Sequence, residues 1–433
     1  MQEGLEIRKT NGNSAVRRRR KTVAYALGVV AIVLVAVLLT FSLTVNYYCN
    51  NSGDNKDLVK KLDVLSDYIE KYAYYDADYA AMEDAALKAF VSSAGDRYTV
   101  YYNADDFKAL NDGNVGQYVG IGVSVAEEEV VYNDDIITIV EVIQVHEGSH
   151  ASEVGITAGD MIYSVYTDEG EIFANDVDFD VFASLVKGEE GTNVNISILR
   201  MKNEELEKVN LTIERRKVVV KSVLHSIDTD NKIGVVSISQ FDLNTPSLFT
   251  ESVDAIKAEG INKIVIDMRD NGGGDLNSVV ACASYFLNEG DLIMSAEDNE
   301  GRVVKHKARV KTLGGEYALC SVANSDIGKY KDLKVVVLVN ENTASAAELL
   351  TAVLRDYELA PIVGVNTFGK GTMQTIYSLE DHGLDGGIKI TTDVYFPPCG
   401  VNYDGVGIEP DVIVEYEIGD VDNQLEAAIK LIK

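Results

Sequence analysis

Cysteine is scarce in this chain of 433 residues, and the four present, Cys49, Cys282, Cys320 and Cys399, lie far apart. Metal sites and disulfide frameworks need short paired spacings, so the scatter argues against a zinc ribbon and against an essential disulfide. No metal and no other cofactor is expected. Tryptophan is absent altogether, which by itself points to no function. Positive charge is also scarce and unevenly placed. Residues 1–21 hold seven of the 39 Lys and Arg and two of the 69 Asp and Glu, leaving 32 basic and 67 acidic side chains for the rest. A body that acidic repels phosphate backbones, which speaks against a nucleic-acid partner and favours solubility. Internal repeats and low-complexity tracts are lacking. Apolar material is plentiful, and a hydrophobic content of 46% supplies several cores.

One long run carries no charge at all. Val23 to Val45 is an apolar stretch with no charged residue, long enough to cross a bilayer as a helix. Arg17, Arg18, Arg19, Arg20 and Lys21 precede it directly. The positive-inside rule keeps such a cluster in the cytoplasm and sends the remainder across. A cleaved signal peptide would have a shorter apolar core and a small-residue cleavage motif, which Thr44-Val45-Asn46-Tyr47-Tyr48 does not supply. The expectation is a basic cytoplasmic tail at 1–22, an uncleaved single-pass helix at 23–45 in the cell membrane, and an extracytoplasmic acidic body.

After a polar joint at Asn50–Asp57, residues 54–116 read as a small helical segment, with Leu58, Leu62, Leu65 and Ile69 at helical spacing and a turn at Gly95-Asp96-Arg97-Tyr98. Nothing there suggests chemistry. Residues 117–203 change texture to β-branched runs, Ile136–Val145 and Val194–Leu199, with a helical stretch near Val177–Val186. Within them come Gly116-Gln117-Tyr118-Val119-Gly120-Ile121-Gly122, then Gly155-Ile156-Thr157-Ala158-Gly159-Asp160-Met161-Ile162, then Leu185-Val186-Lys187-Gly188. In that order they resemble a PDZ domain of the bacterial protease type. The resemblance implies that Tyr118, Val119, Gly120, Ile121 and Gly122 offer backbone N–H groups to a ligand's terminal carboxylate, while the ligand adds as a strand. Glycines at 116, 120 and 122 suit a close approach of backbone to an anion.

Residues 204–433 alternate apolar strand-like runs, at Lys232–Ser239, Lys263–Asp267, Lys334–Val339 and Pro361–Val365, with helical stretches at Pro246–Ala258 and Ala344–Tyr357. Buried strands flanked by helices imply a covered sheet. The run Lys334–Val339 leads into Asn340-Glu341-Asn342-Thr343-Ala344-Ser345-Ala346-Ala347-Glu348. Ser345 therefore starts a helix, where free N–H groups and the helix dipole favour negative charge. Position alone fits an ordinary N-cap better than a nucleophile. Thr367-Phe368-Gly369-Lys370-Gly371-Thr372-Met373-Gln374 alters the balance, because a lysine bracketed by glycines has a setting that a surface lysine does not need. Packed against Ser345, Lys370 would lose basicity on burial and act as a general base, with Gln374 holding its amine. The glycine turn after Ile266-Asp267-Met268-Arg269-Asp270-Asn271 would add an oxyanion donor to the Ala346 N–H. No Gly-Lys-Ser/Thr follows it, so it is a poor phosphate loop.

Together the helical start, the PDZ-like middle, the Asp-Met-Arg-Asp-Asn-Gly-Gly-Gly turn, the Ala-Ser-Ala-Ala-Glu serine and the Gly-Lys-Gly-Thr-Met-Gln loop resemble the carboxyl-terminal processing (tail-specific) peptidases, from about Leu58 to the C-terminus. The resemblance implies a mixed α/β and β, multidomain fold. It comprises a PDZ-like β+α domain and an α/β serine peptidase core. It further implies a Ser345–Lys370 pair assisted by Gln374, protein or peptide substrates with free C-termini, and coupling of tail binding to the active site. A homodimer is compatible with it. Where that family commonly has proline this chain has Gly272, and Gly273 is the expected oxyanion glycine. A different class of reading is a catalytically silent, membrane-anchored adaptor that only binds tails. Two further motifs are set aside. His146-Glu147-Gly148-Ser149-His150 matches a zinc-peptidase pattern but follows a β-branched run, whereas that pattern works on a helix. His382 lies in a turn-like sequence and suits a solvated loop better than a triad.

Overall fold

The computed structural model describes residues 56–132, 135–146, 148–167, 170–177, 179–202, 205–309, 322–323, 325–417 and 421–433. The expected membrane helix at Val23–Val45 and the basic tail before it lie outside the described residues. Among the described residues, no helix is long and apolar enough to cross a membrane. The chain divides into two compact units, Met1–Glu83 and Asp84–Lys433. The first contains the helix Lys56–Tyr72. Its Leu58, Leu62 and Leu65 are all exposed.

In the second unit, six antiparallel strands form a sheet, five of them in the order Val123–Tyr132, Asp135–Val145, Met161–Thr167, Asn193–Lys202, Glu205–Glu214, with Gly170–Phe173 paired to Met161–Thr167. The short helix Phe179–Val186 packs Phe182 into a core with Val140, Ile162, Ile196 and Ile198. The segment expected to end at 203 runs on, because Glu205–Glu214 is the hairpin partner of Asn193–Lys202 over its whole length. Arg216–Val219 then leaves this sheet and pairs antiparallel with Gln117–Gly120.

The second sheet runs Val223–Asp228, Ile233–Ile238, Lys263–Asp267, Lys334–Val339, Ile362–Gly364, Val412–Ile413, antiparallel at its first pair and parallel thereafter. Its strands read as continuous apolar runs because both faces are covered. Ile264, Ile266, Val335, Val337 and Val339 point to one core, shared with the helices Thr245–Ala258, Leu276–Ser284 and Ala346–Asp356. Val265, Val336 and Leu338 point to the other, with Ala428 and Ile432 of the helix Asn423–Ile432. A third, antiparallel sheet centres on Gly387–Phe396, flanked by Thr372–Ser378 and by Leu292–Asp298.

This topology places the site. Lys263–Asp267 and Lys334–Val339 are parallel neighbours, so the turns that leave their carboxyl ends lie side by side. One is the glycine turn and the other leads to Ser345.

Candidate active site

Ser345 precedes the helix Ala346–Asp356 with φ 56° and ψ −116°. An ordinary N-cap is extended, whereas this residue is in a region that L-residues avoid and that recurs where a strained strand-to-helix turn presents a nucleophile. Gly273 explains why the turn is tight. A Cβ there would lie 2.8 Å from Ser345 Cβ and 2.9 Å from the Ala344 carbonyl oxygen, so the glycine turn packs directly under the serine.

Glu348, in the first turn of that helix, is fully buried. Its carboxylate accepts four hydrogen bonds: from the Ser345 N–H (2.8 Å), the Gly369 N–H (2.7 Å), the Lys370 N–H (2.8 Å) and the Thr367 hydroxyl (2.6 Å). A buried carboxylate is tolerated only when its lone pairs are satisfied. Satisfying them here draws the lysine loop onto the serine turn. The glycines that bracket Lys370 are required on the loop's outer side. A Cβ on Gly369 would lie 2.7 Å from the Gly407 nitrogen, and one on Gly371 2.5 Å from the Asn402 amide.

Ser345, Ala346, Lys370 and Gln374 line one cavity of about 500 Å³ together with Gly272, Gly274 and Leu276. Lys370 Nζ lies 4.5 Å from the centroid of the Tyr98 ring, and Arg97 stacks on the same ring at 4.6 Å. Burial, then the Lys389 and Arg97 charges, push the Lys370 amine below its ordinary range, against a smaller opposing pull from Asp96 and Glu348. Gln374 sits at a register shift in the strand Thr372–Ser378, a bulge that re-aims its side chain. Its Nε2 donates to the Thr372 and Thr391 hydroxyls (3.1 and 3.2 Å), leaving Oε1 as the atom able to accept from an amine. The Ala346 N–H begins a helix and has no helical acceptor.

Gly273 departs from expectation. Its N–H donates to Asn271 Oδ1 at 2.9 Å, and Gly272 and Gly274 line the cavity instead. The Asn271 side chain folds back over its own turn and takes the amide that was assigned to the oxyanion. The helical segment also departs, since Tyr98, in a stretch without chemical motifs, reaches the lysine. Tyr98 carries no local signal that separates it from a packing residue, whereas Glu348 stands in the Ser-x-x-Glu pattern of a capping box.

Of the segment expected to bind peptide, Tyr118, Gly120, Ile121 and Gly122 line a small apolar pocket of about 60 Å³ with Val123, Val125, Phe182 and Val186. Val119 is not part of it and pairs with Lys217 across Arg216–Val219. Among the described residues, Val123–Tyr132 is an edge strand of its sheet, paired to Asp135–Val145 alone. The histidines of the zinc-like pattern have separate partners. His146 Nε2 lies 3.0 Å from the Ser124 hydroxyl, and His150 Nδ1 accepts from the Glu214 N–H at 2.6 Å. His382 is exposed in a short turn and does not line the serine cavity. A larger polar cleft of about 890 Å³ includes Ser222, Ser239, Arg269 and Asn340. Its guanidinium is already paired with Asp267 and Asp422, both at 2.7 Å, and it holds neither Ser345 nor Lys370.

Residues 232–414 match the model of peptidase family S41. Over those residues the chain is similar to the S41 peptidases. The matched residues take in all but the first strand of the α/β sheet and hold Ser345, Lys370 and Gln374, and the protein is a serine-type peptidase. Similar proteins include a probable CtpA-like serine protease of Staphylococcus epidermidis, 29% identical over 393 residues that cover 90% of this chain and 73% of that protein. Another of the same description, from Staphylococcus aureus, is 28% identical over 423 residues, covering 95% and 77%. The solved structure of a putative S41 protease from Bacteroides fragilis superposes with a TM-score of 0.54 at 18% identity, covering 83% of this chain and 92% of that one. That likeness is one of fold and covers most of the chain. The adaptor reading is set aside.

Proposed function

We propose that this S41 peptidase cuts peptide bonds with Ser345 as nucleophile and Lys370 as general base, on substrates delivered by their C-terminal tails. The observation that carries this reading is the opening of one cavity onto three groups: a serine in a strained turn, an amine of lowered basicity, and the free N–H of Ala346. Neutral Lys370 takes the Ser345 hydroxyl proton as Oγ attacks the substrate carbonyl carbon. The oxyanion accepts from the Ala346 N–H and from the glycine turn beside it. Protonated Lys370 returns its proton to the leaving amine, and the acyl-enzyme forms. Water, deprotonated by Lys370, then attacks the acyl carbon, and the lysine returns that proton to Ser345 Oγ as the acyl group leaves as the acid. Gln374 orients the lysine amine through Oε1.

Tail capture rests on the PDZ-like unit. An extended peptide would add to the free edge of Val123–Tyr132 with its carboxylate at the Tyr118–Gly122 turn, and its last side chain would enter the apolar pocket against Phe182. The apolar run Val23–Val45 would hold the enzyme in the membrane as a single pass, with the peptidase facing outward.

Full-length protein in detergent, incubated with a disordered protein and followed by mass spectrometry, tests the chemistry. Wild type cuts, while Ser345→Ala and Lys370→Ala do not. Cutting by Lys370→Ala at the wild-type rate would remove the lysine from the mechanism.

A further inference from the structure

Two buried side chains join Ser345 to Lys370 through their backbones. Glu348 accepts from both N–H groups. Tyr395 reaches both carbonyls: its hydroxyl oxygen lies 2.8 Å from the Lys370 carbonyl oxygen and 3.1 Å from that of Ser345. The same hydroxyl is 2.7 Å from the Tyr403 hydroxyl, and the two tyrosines are only 4% and 5% exposed. Carbonyls only accept, so the single Tyr395 hydrogen is shared between the two of them. Tyr403 therefore donates to Tyr395, and a hydroxyl that accepts one hydrogen bond donates a stronger one.

We propose that Tyr395, backed by Tyr403, is a positioning residue of the peptidase site that sets the direction and donor strength of the Ala346 N–H and holds the lysine loop in register with it. The Ser345 carbonyl and the Ala346 N–H belong to one planar peptide unit. Fixing its oxygen therefore fixes the direction of its N–H, and drawing electron density to that oxygen makes the N–H a better oxyanion donor. The Ser345 carbonyl also accepts from the Leu349 N–H at 2.9 Å, so helix and tyrosine hold it from two sides. Burial raises both phenols above their ordinary range. Both stay protonated, and so remain donors, wherever the enzyme works. The clamp comes from the sheet strand Gly387–Phe396 and the loop after it, neither of which supplies a reacting group.

The inference rests on the Ser345–Lys370 reading, and the test separates the two. Full-length Tyr395→Phe, Tyr403→Phe and the double variant are compared with wild type for kcat, KM, the pH profile of kcat and Tm, with Ser345→Ala alongside. Tyr395→Phe lowers kcat by roughly tenfold to a hundredfold, as expected for a displaced oxyanion donor, with KM within about twofold. Tyr403→Phe lowers kcat less. The double variant matches Tyr395→Phe, because Tyr403 acts through Tyr395. Wild-type kcat in Tyr395→Phe overturns the proposal, as does a double variant in which the two losses multiply. If Tyr395→Phe does not fold, Tyr403→Phe decides: lower kcat at unchanged Tm upholds the proposal and unchanged kcat overturns it. Activity in Ser345→Ala would instead reject the Ser–Lys reading, and the inference with it.

Discussion

Lys370 and Glu348 divide the work at the scale of single residues. If Lys370 is the general base proposed above, it acts in its neutral form and kcat/KM rises with pH through its pKa, which burial with the Lys389 and Arg97 charges brings below the ordinary 10.5. Lys389→Ala removes a repelling cation, raises the lysine pKa, and moves the rising limb of the pH–rate profile to higher pH. An unchanged limb would detach Lys389 from the site. The same shift has a stability consequence of definite sign. Between the folded and unfolded pKa the unfolded chain binds the extra proton, so this site's contribution to stability improves as pH rises through that interval. Glu348 acts differently, by satisfying four donors at once. Glu348→Ala leaves them buried and unpaired, at a cost of about 3 kcal/mol or more, and frees the lysine loop from the serine turn. Thermal unfolding and peptide cleavage should both fall in this variant. Loss of stability alone, with kcat kept, would mean that the carboxylate only packs.

Among elements, the lysine loop is the most constrained. Gly369 has φ 86° and its missing Cβ faces the backbone of Val406 and Gly407. Gly369→Ala therefore meets both a steric and a conformational penalty, and backbone atoms cannot swing aside as side chains do. Activity should drop by about a hundredfold or more, since displacement of roughly 1 Å at a reacting group already costs that much. Cleavage assays on the folded variant check this. The serine helix was legible from Ala346-Ala347-Glu348-Leu349-Leu350 because apolar and helix-favouring residues recur there over three turns. The helix Leu276–Ser284 was not, as it is buried nearly throughout and its sequence lacks an amphipathic period. The strands Leu292–Asp298 and Val303–Lys307 also escaped, since the first pairs with Gly387–Phe396, far along the chain, and the second joins the sheet only through the first.

At the scale of the whole molecule, Arg269 locks the carboxyl end of the strand Lys263–Asp267 to the C-terminal helix by pairing with Asp267 and Asp422. Removing it strands two partly buried carboxylates, so Arg269→Ala should destabilise by about 3 kcal/mol, read from denaturant unfolding. The proposed tail recognition makes a different prediction. If tails bind by their carboxylates, amidating a substrate's C-terminus raises KM by roughly tenfold, the worth of one charge-assisted contact, and leaves kcat near its value. Equal KM for the two forms would remove tail recognition from the mechanism.

The sequence alone determined the succession of segments, the strand-to-helix turn at Ser345 and the glycine-bracketed lysine, because periodicity, turn chemistry and short motifs are local properties of a chain. Tertiary structure alone decided which groups meet. Parallel pairing of two strands brought the glycine turn under Ser345, a buried Glu348 tied the serine to a lysine loop beyond the next strand, and Asn271 took the Gly273 amide. Tyr98 and Tyr395 come from opposite ends of the second unit, and their nearness to Lys370 follows from sheet pairing and burial, which no spacing along the chain encodes.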